Sequence, residues 1–245
     1  DSQEINQEGL DFDKYFKDYK GTFVLYDLNN DSYIRYNEKR ADKRISPKST
    51  FKVFHSLLAL ETGVLEDENS KIKWDGKKYP IESWNKDQTL SSAVNNSVVW
   101  YFAKVYSKIG YEKMNSFLKK IEYGNKKIGD TKGLFWLNNS LKISANEQVE
   151  LLNKLYKNKL NFKEKNMEIV KKILNLKKDN NIILAGKTGS GNIDESKKVS
   201  WFIGYLKNKE KVYIFALNVQ GKNNLSGYKA KEITKSILVD LGFLN

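Results

Sequence analysis

Cysteine is absent from the 245 residues, so the chain has neither a disulfide nor a thiolate metal ligand. That absence suits an exported protein that avoids thiols, and it suits a cytosolic protein equally well. No apolar run approaches the roughly 20 residues that span a bilayer. The polar opening "DSQEINQEGLD" indicates that a signal peptide has been removed or was never present. Only 2 prolines occur, without repeats or low-complexity linkers, and we interpret residues 1–245 as one domain with two lobes.

Acidic residues are fewer than basic ones, 30 against 43, which gives a formal net charge of +13. A basic surface can attract nucleic acid, anionic cell-wall polymers or membrane headgroups, or simply keep a protein in solution. The lysines are spread over segments such as "KLYKNKLNFKEKN" and "KNKEKV", and no nucleic-acid-binding motif accompanies them. We interpret the charge as a solvated surface, predict no nucleic-acid partner, and leave attraction to an anionic cell wall or membrane surface open.

Strand-like patterns occupy both ends of the chain. Near the N-terminus, "GTFVLYDLNNDSYIRYN" predicts a hairpin that turns at residues 29–31, and "IILAGKTG", "VSWFIGYL" and "VYIFALNV" predict three strands near the C-terminus. Helical periodicity fills the middle. The order predicts an α+β fold, in which both termini complete an antiparallel sheet and a helical lobe is inserted between them. A crevice between the two lobes is the expected place for a site.

Four helices are predicted from apolar spacing and end signals. An apolar stripe from Phe51 to Leu58 stops at Gly63, and "SSAVNNSVVWYFAKVYSKIG" reads as one helical stretch. A third helix opens with a capping box formed by Ser144 and Glu147. The last runs roughly over residues 228–241.

Ser49 and Lys52 lie one helical turn apart at the start of the first of these helices. Serine needs a base to become a nucleophile, whereas lysine keeps its proton up to about pH 10.4. The Ser-x-x-Lys spacing alone also fits a helix cap followed by a surface lysine. The order of motifs along the chain is more specific than this spacing. Lys187-Thr188-Gly189 closes a strand after the helical lobe and is followed by "VSWFIGYL". Together these motifs resemble the serine β-lactamases and penicillin-binding proteins.

Further motifs narrow the resemblance. They are Ser97-Val98-Val99 on a helix, Tyr123-Gly124-Asn125 in a loop, Phe135-Trp136-Leu137, and Trp201 to Gly204 on a strand, with "GTFVLYDLNN", "SPKSTFK" and "SWNKDQTL". In this order, from about Phe12 to Leu241, they resemble the class D β-lactamases. Neither Ser-Asp-Asn nor an obvious glutamate base is present, as a class A enzyme would require.

The resemblance implies how the pair would react. Lys52 would sit in an apolar pocket that lowers its pKa, so that the neutral amine can take up carbon dioxide as a carbamate. The pocket would be lined by Val99, Phe102, Trp136 and Leu137. Trp136 would donate its indole N–H to the carbamate, which would act as the general base for Ser49. No metal or other cofactor is implied.

The remaining roles also follow from the resemblance. Ser97, with Lys187 beside it, would relay a proton to the leaving lactam nitrogen. The backbone N–H groups of Ser49 and Ser190 would form the oxyanion hole. Thr188 and Lys187 would hold the substrate carboxylate, and Gly189 would also be a substrate-binding residue. The expected partner is a β-lactam small molecule, and the expected location is extracytoplasmic, either secreted or at the cell surface.

One arginine of the family is missing from this chain, and the only histidine has no expected catalytic role. The family's carboxylate-binding arginine has no counterpart in "NNLSGYKAKEIT", where Tyr228, Lys229 or Lys231 could substitute. A lysine lacks the bidentate fork of arginine. His55, the only histidine, is expected to face away from Ser49, so a Ser-His-Asp triad is not indicated.

Three other functions remain open. The resemblance extends to the extracellular β-lactam sensor domains of receptors, whose acyl-enzyme is long-lived, and "WYF" after Val99 is similar to them. Val99 favours a hydrolase, because a polar residue there would favour loss of the carbamate. A peptidoglycan transpeptidase is less expected, because Trp136 and Tyr-Gly-Asn are not features of that group. A nucleic-acid-binding protein lacks both motif and grouped charge.

Overall fold

The computed structural model describes residues 2–4, 10–130, 134–179 and 181–245, and residues 2–4 by their backbone only. Most of the polar opening and the end of the lysine-rich segment 119–133 therefore lie outside the described residues. In the part of the chain that is described, no helix is both long and apolar enough to cross a bilayer.

The described residues form strands at both ends of the chain, with two short strands in the middle. The strands are β1 Ser2–Glu4, β2 Lys20–Asp27, β3 Ser32–Tyr36, β4 Lys71–Ile72, β5 Gln88–Thr89, β6 Asn175–Lys178, β7 Ile182–Asn192, β8 Lys197–Asn208 and β9 Lys211–Lys222.

Helices fill the middle and close the chain. They are α1 Glu38–Ala41, α2 Lys52–Glu61, α3 Leu90–Asn95, α4 Val99–Ile109, α5 Tyr111–Lys120, α6 Ala145–Tyr156, α7 Glu164–Ile173 and α8 Lys229–Asp240. Short 3-10 helices lie at Phe12–Tyr15, Lys48–Phe51 and Glu82–Trp84. The capping box of α6 is confirmed: Ser144 Oγ accepts from the Glu147 amide, and the Glu147 carboxylate accepts from the Ser144 amide.

Seven strands form one sheet in the order β1-β3-β2-β9-β8-β7-β6. The N-terminal hairpin joins the C-terminal strands where β2 pairs antiparallel with β9, so the predicted closure of the sheet by both ends of the chain is confirmed. One pairing departs from the antiparallel prediction, because β1 runs parallel to β3. The predicted α+β class is confirmed.

Helices cover both faces of the sheet, and the strands are buried accordingly. Phe202 and Phe215 pack with Ile237 of α8 on one face. On the other face, Ile203 and Ala216 join the large core formed with the helical lobe. Because successive strand residues point to opposite faces, β8 and β9 read as continuous apolar runs.

Two motif placements differ from the prediction. The stretch predicted as one helix breaks into α3 and α4 at Ser97, whose φ of +51° is left-handed, so Ser97 lies in a turn and not on a helix. The serine and asparagine residues before it favour turns because their side chains compete for backbone hydrogen bonds. Lys187-Thr188-Gly189 lies inside β7, which continues to Asn192, whereas the sequence placed the motif at a strand end.

Candidate active site

The serine and lysine at the start of α2 are in direct contact. Ser49 lies in the 3-10 turn that leads into α2, and Lys52 is the first residue of the helix. The Nζ atom of Lys52 lies 2.9 Å from Ser49 Oγ. The i, i+3 spacing brings both side chains onto one face of the turn. An amine within hydrogen-bond distance is placed to take the hydroxyl proton once it is itself neutral.

Lys52 occupies a site that disfavours a charged amine. Its side chain is fully buried, with Nζ 5.5 Å from the centre of the Phe102 ring. Burial, and secondly the charge of Lys187, lower the pKa of Lys52 well below its usual value. No carboxylate in the described part of the chain pairs with it. The amine is therefore neutral over a much wider pH range than an exposed lysine.

Trp136 presents an unused hydrogen-bond donor in this region. The indole Nε1 is buried and has no partner among the described residues. The backbone of Trp136 itself is held, because Ser46 Oγ donates to the Trp136 carbonyl at 3.0 Å. A buried donor without a partner is costly, so a group that accepts from it would be stabilised here.

A second serine–lysine pair lies across the site. The left-handed turn at Ser97 and the middle of β7 bring Ser97 Oγ within 2.5 Å of Lys187 Nζ. Burial, and secondly the charge of Lys231, lower the pKa of Lys187 to about 7. Lys187 is thus near its midpoint at neutral pH, and its Nζ donates to Ser97 Oγ.

Strand β7 runs directly against the nucleophile turn. A side chain at Gly189 would come within 3.0 Å of the amide nitrogen of Ser49, so only glycine permits this approach. The two segments border a cleft of about 340 Å³. It is lined by Ser49, Ile81, Ser83, Trp84, Asn95, Asn96, Ser97, Thr188, Gly189, Ser190, Gly227 and Tyr228.

The predicted site residues fall into two layers. Ser49, Ser97 and Thr188 to Ser190 line the open cleft, whereas Lys52, Phe102 and Trp136 are fully buried beside it. Val99, in the first turn of α4, and Leu137 are half-buried and do not line the cleft.

The three candidates for the missing arginine differ in their surroundings. Tyr228 lines the cleft, with 65% of its surface exposed. Lys229 is engaged elsewhere, 3.4 Å from Glu232 and over the ring of Tyr19. The charge of Lys231 reaches Lys187, whose pKa it lowers, so Lys231 contributes positive potential at the cleft.

His55 makes no hydrogen bond to Ser49 among the described residues, in keeping with the expectation that it faces away from the nucleophile. It packs against the aromatic residues of the site, with its ring centre 5.0 Å from that of Trp136 and 5.1 Å from that of Phe102. Both ring nitrogens are buried without a partner among the described residues, so no triad is formed. The i, i+3 spacing from Lys52 could have indicated this position.

Sequence reasoning also missed Lys48, Ile81 and Trp84. Lys48 is almost fully buried beside the nucleophile, and burial lowers its pKa to about 8. Ile81 and Trp84 line the cleft. "SWNKDQTL" carried part of the resemblance, which was the available signal for Trp84, but nothing local marked Lys48 as buried.

Comparison with known proteins identifies a matching protein family and relatives that carry β-lactamase or receptor names. Residues 20–239 match the penicillin binding protein transpeptidase domain. The chain is 40% identical over 240 residues to the probable β-lactamase YbxI of Bacillus subtilis, covering 98% of this chain and 88% of YbxI. It is also 40% identical over 235 residues, or 95% of its length, to the regulatory protein BlaR1 of Bacillus licheniformis.

The fold agrees with these similarities. The solved C-terminal domain of the Bacillus licheniformis BlaR penicillin-receptor superposes with a TM-score of 0.91 at 39% identity, covering 96% of both chains. The chain spans only 39% of the length of BlaR1 itself. Relatives that carry an enzyme name and relatives that carry a receptor name are therefore equally similar to it.

Proposed function

Since this chain belongs to the penicillin-binding protein transpeptidase family, in the group of class D β-lactamases and related receptor domains, we propose that it is a serine β-lactamase. It hydrolyses β-lactam antibiotics through an acyl-enzyme on Ser49. The observation that carries the proposal is the 2.9 Å contact between Ser49 Oγ and the fully buried amine of Lys52. A nucleophile with an adjacent base of lowered pKa is the pattern that acyl transfer requires.

The surroundings of Lys52 fit a carboxylated amine. Burial favours the neutral amine by lowering its pKa, and among the described residues the amine has no carboxylate partner and Trp136 Nε1 is a buried donor without an acceptor. Lys52 would carry the added carboxyl group and Trp136 would donate to it. When present, that group supplies an anionic base for the proton of Ser49 and for the hydrolytic water.

The other residues act on the developing charges. The amide N–H groups of Ser49 and Ser190 stabilise the oxyanion, which the close approach of β7 at Gly189 makes geometrically reasonable. Ser97 delivers a proton to the leaving nitrogen, and Lys187, 2.5 Å away, replaces it. As in proteins of this type, we propose an extracytoplasmic location, secreted or at the cell surface.

The substrate carboxylate needs a partner other than arginine. Thr188 lines the cleft, and the half-buried Lys231 adds positive charge near Lys187. We propose that these two residues hold the carboxylate. Tyr228 forms an exposed wall beside them, and Lys229 is occupied by Glu232.

A β-lactam sensor domain is the second candidate, and the 40% identity to BlaR1 favours it. The two functions share acylation and differ in the fate of the acyl-enzyme, which a hydrolase releases with water and a sensor retains. Val99 favours hydrolysis, because an apolar neighbour helps to keep the Lys52 pocket dry, whereas a polar residue would favour loss of the carboxyl group.

A time course with a chromogenic cephalosporin and added bicarbonate separates the two functions. Sustained turnover is expected, whereas one equivalent of product followed by silence would establish the sensor. Intact-mass spectrometry with a slow β-lactam should show a single adduct that is lost in Ser49→Ala. An adduct that persists in Ser49→Ala would show that Ser49 is not the acylated residue.

A further inference from the structure

Lys48, the residue before the nucleophile, has an unusual backbone and an unusual environment. Its φ of +52° lies in the left-handed region, which side chains other than Gly, Asn and Asp seldom adopt. Only 3% of its surface is exposed. A buried lysine in a strained turn persists only where its surroundings hold it firmly.

Three oxygen atoms surround the ammonium group. Nζ donates to the Leu137 carbonyl at 2.6 Å, to the Asn192 carbonyl at 2.7 Å and to Asn139 Oδ1 at 3.2 Å. These three acceptors match the three N–H donors of a charged lysine, and none is a carboxylate. The charge is therefore satisfied by oriented dipoles from two different segments of the chain.

The stem of Lys48 is also accommodated specifically. A side chain at Gly191 would come within 3.1 Å of Lys48 Cδ, so the absence of a side chain there makes room for the lysine. Leu137 directly follows Trp136, and Asn192 ends the strand that carries Thr188 to Ser190. Lys48 thus joins the nucleophile turn, the Trp136 segment and the end of β7.

We infer that Lys48 is a positioning residue, which holds Trp136 over the Lys52 pocket and the end of β7 against Ser49. This inference rests on the proposed function. Its charge is not among the causes that lower the pKa of Lys52, so the effect is exerted through geometry. Loss of the three contacts would leave both segments less firmly held relative to Ser49, and small displacements of reacting groups lower rates strongly.

Lys48→Met tests the inference, because methionine keeps an apolar stem and removes all three donors. Lys171→Met is the matched control: Lys171 is another largely buried lysine that donates to a backbone carbonyl, that of Tyr156 at 3.1 Å, away from the cleft. In Lys48→Met we expect single-turnover acylation to slow by roughly 10- to 100-fold, whereas the control should stay at the wild-type rate. The ¹³C NMR signal of carboxylated Lys52, measured with labelled bicarbonate, should fall only in Lys48→Met.

The outcomes distinguish this inference from the proposed function. If the wild-type protein is never acylated by a β-lactam, the proposed function fails. If the wild type is acylated and Lys48→Met matches Lys171→Met in acylation and in the NMR signal, only the role of Lys48 is refuted. If Lys48→Met does not fold, Asn139→Ala replaces it, because this variant removes one of the three acceptors. Asn139→Ala must then show smaller losses in the acylation rate and in the NMR signal. Wild-type values of both quantities in Asn139→Ala would also refute the role of Lys48.

Discussion

The buried imidazole beneath the Lys52 pocket makes a sharp prediction about acid stability. His55 is fully buried, and both ring nitrogens lack a partner among the described residues. Burial, and secondly the charge of Lys52, lower the pKa of His55 from 6.5 to about 3. The unfolded chain therefore binds this proton more readily than the folded chain, and stability is lost as the pH falls from about 6.5 towards 3.

The size of the effect follows from the two pKa values. Between pH 7 and pH 5, the linkage relation gives a loss of about 2 kcal/mol in the free energy of unfolding from His55 alone. His55 is the only histidine, so no other imidazole contributes.

The test compares wild type with His55→Leu, which is similar in volume and cannot be protonated. Urea unfolding is followed by tryptophan fluorescence at pH 7 and pH 5, without bicarbonate, so that Lys52 carries the same group in both proteins. The free energy of unfolding should fall between these pH values by about 2 kcal/mol more in wild type than in the variant. Equal losses in the two proteins would show that His55 takes up a proton as readily in the folded state as in the unfolded chain, and would refute the neutral imidazole.

Two further predictions concern the pocket and the substrate carboxylate. Val99→Asn should admit water to the Lys52 pocket and lower the carboxylated fraction of Lys52, which ¹³C NMR measures. Deacylation should therefore slow by roughly 100-fold, and acylation should slow less. Equal slowing of both steps with the NMR signal intact would contradict this prediction. Lys231→Gln removes a like charge near Lys187, so the pKa of Lys187 and the corresponding limb of the pH–rate profile should move upward. Lys231→Gln should also raise KM roughly fivefold, which corresponds to about 1 kcal/mol. Lys229→Gln should change neither the pKa of Lys187 nor KM, because Glu232 already pairs with Lys229. A Lys231→Gln profile that superposes on that of wild type would exclude this coupling.

Local spacing made part of this structure predictable. The contact between Ser49 and Lys52 and the capping box of α6 each join residues three positions apart, so the helix period alone brings them together. The final helix and the hairpin likewise follow from patterns that lie within one segment. The order of strand-like and helical segments along the chain further predicted that both ends of the chain complete the sheet.

Tertiary contacts made the rest inaccessible to sequence reasoning. Ser97 and Lys187 are 90 residues apart in the chain, and their contact depends on the break between α3 and α4. The helical pattern of apolar residues runs through this break, because the left-handed turn at Ser97 does not interrupt the apolar spacing. Lys48 reads as one more surface lysine in a basic chain, since its acceptors come from segments about 90 and 144 residues away.

The three buried lysines around the cleft show how a basic chain can prepare a site for an anion. Lys48 places its charge within three oxygen acceptors, burial lowers the pKa of Lys52 well below its usual value, and burial lowers the pKa of Lys187 to about 7. No carboxylate in the described part of the chain pairs with any of them. A substrate carboxylate that enters the cleft would supply the missing negative charge and raise the pKa of Lys187. We therefore expect substrate binding itself to protonate Lys187, so that a proton reaches Ser97 when the leaving nitrogen requires it.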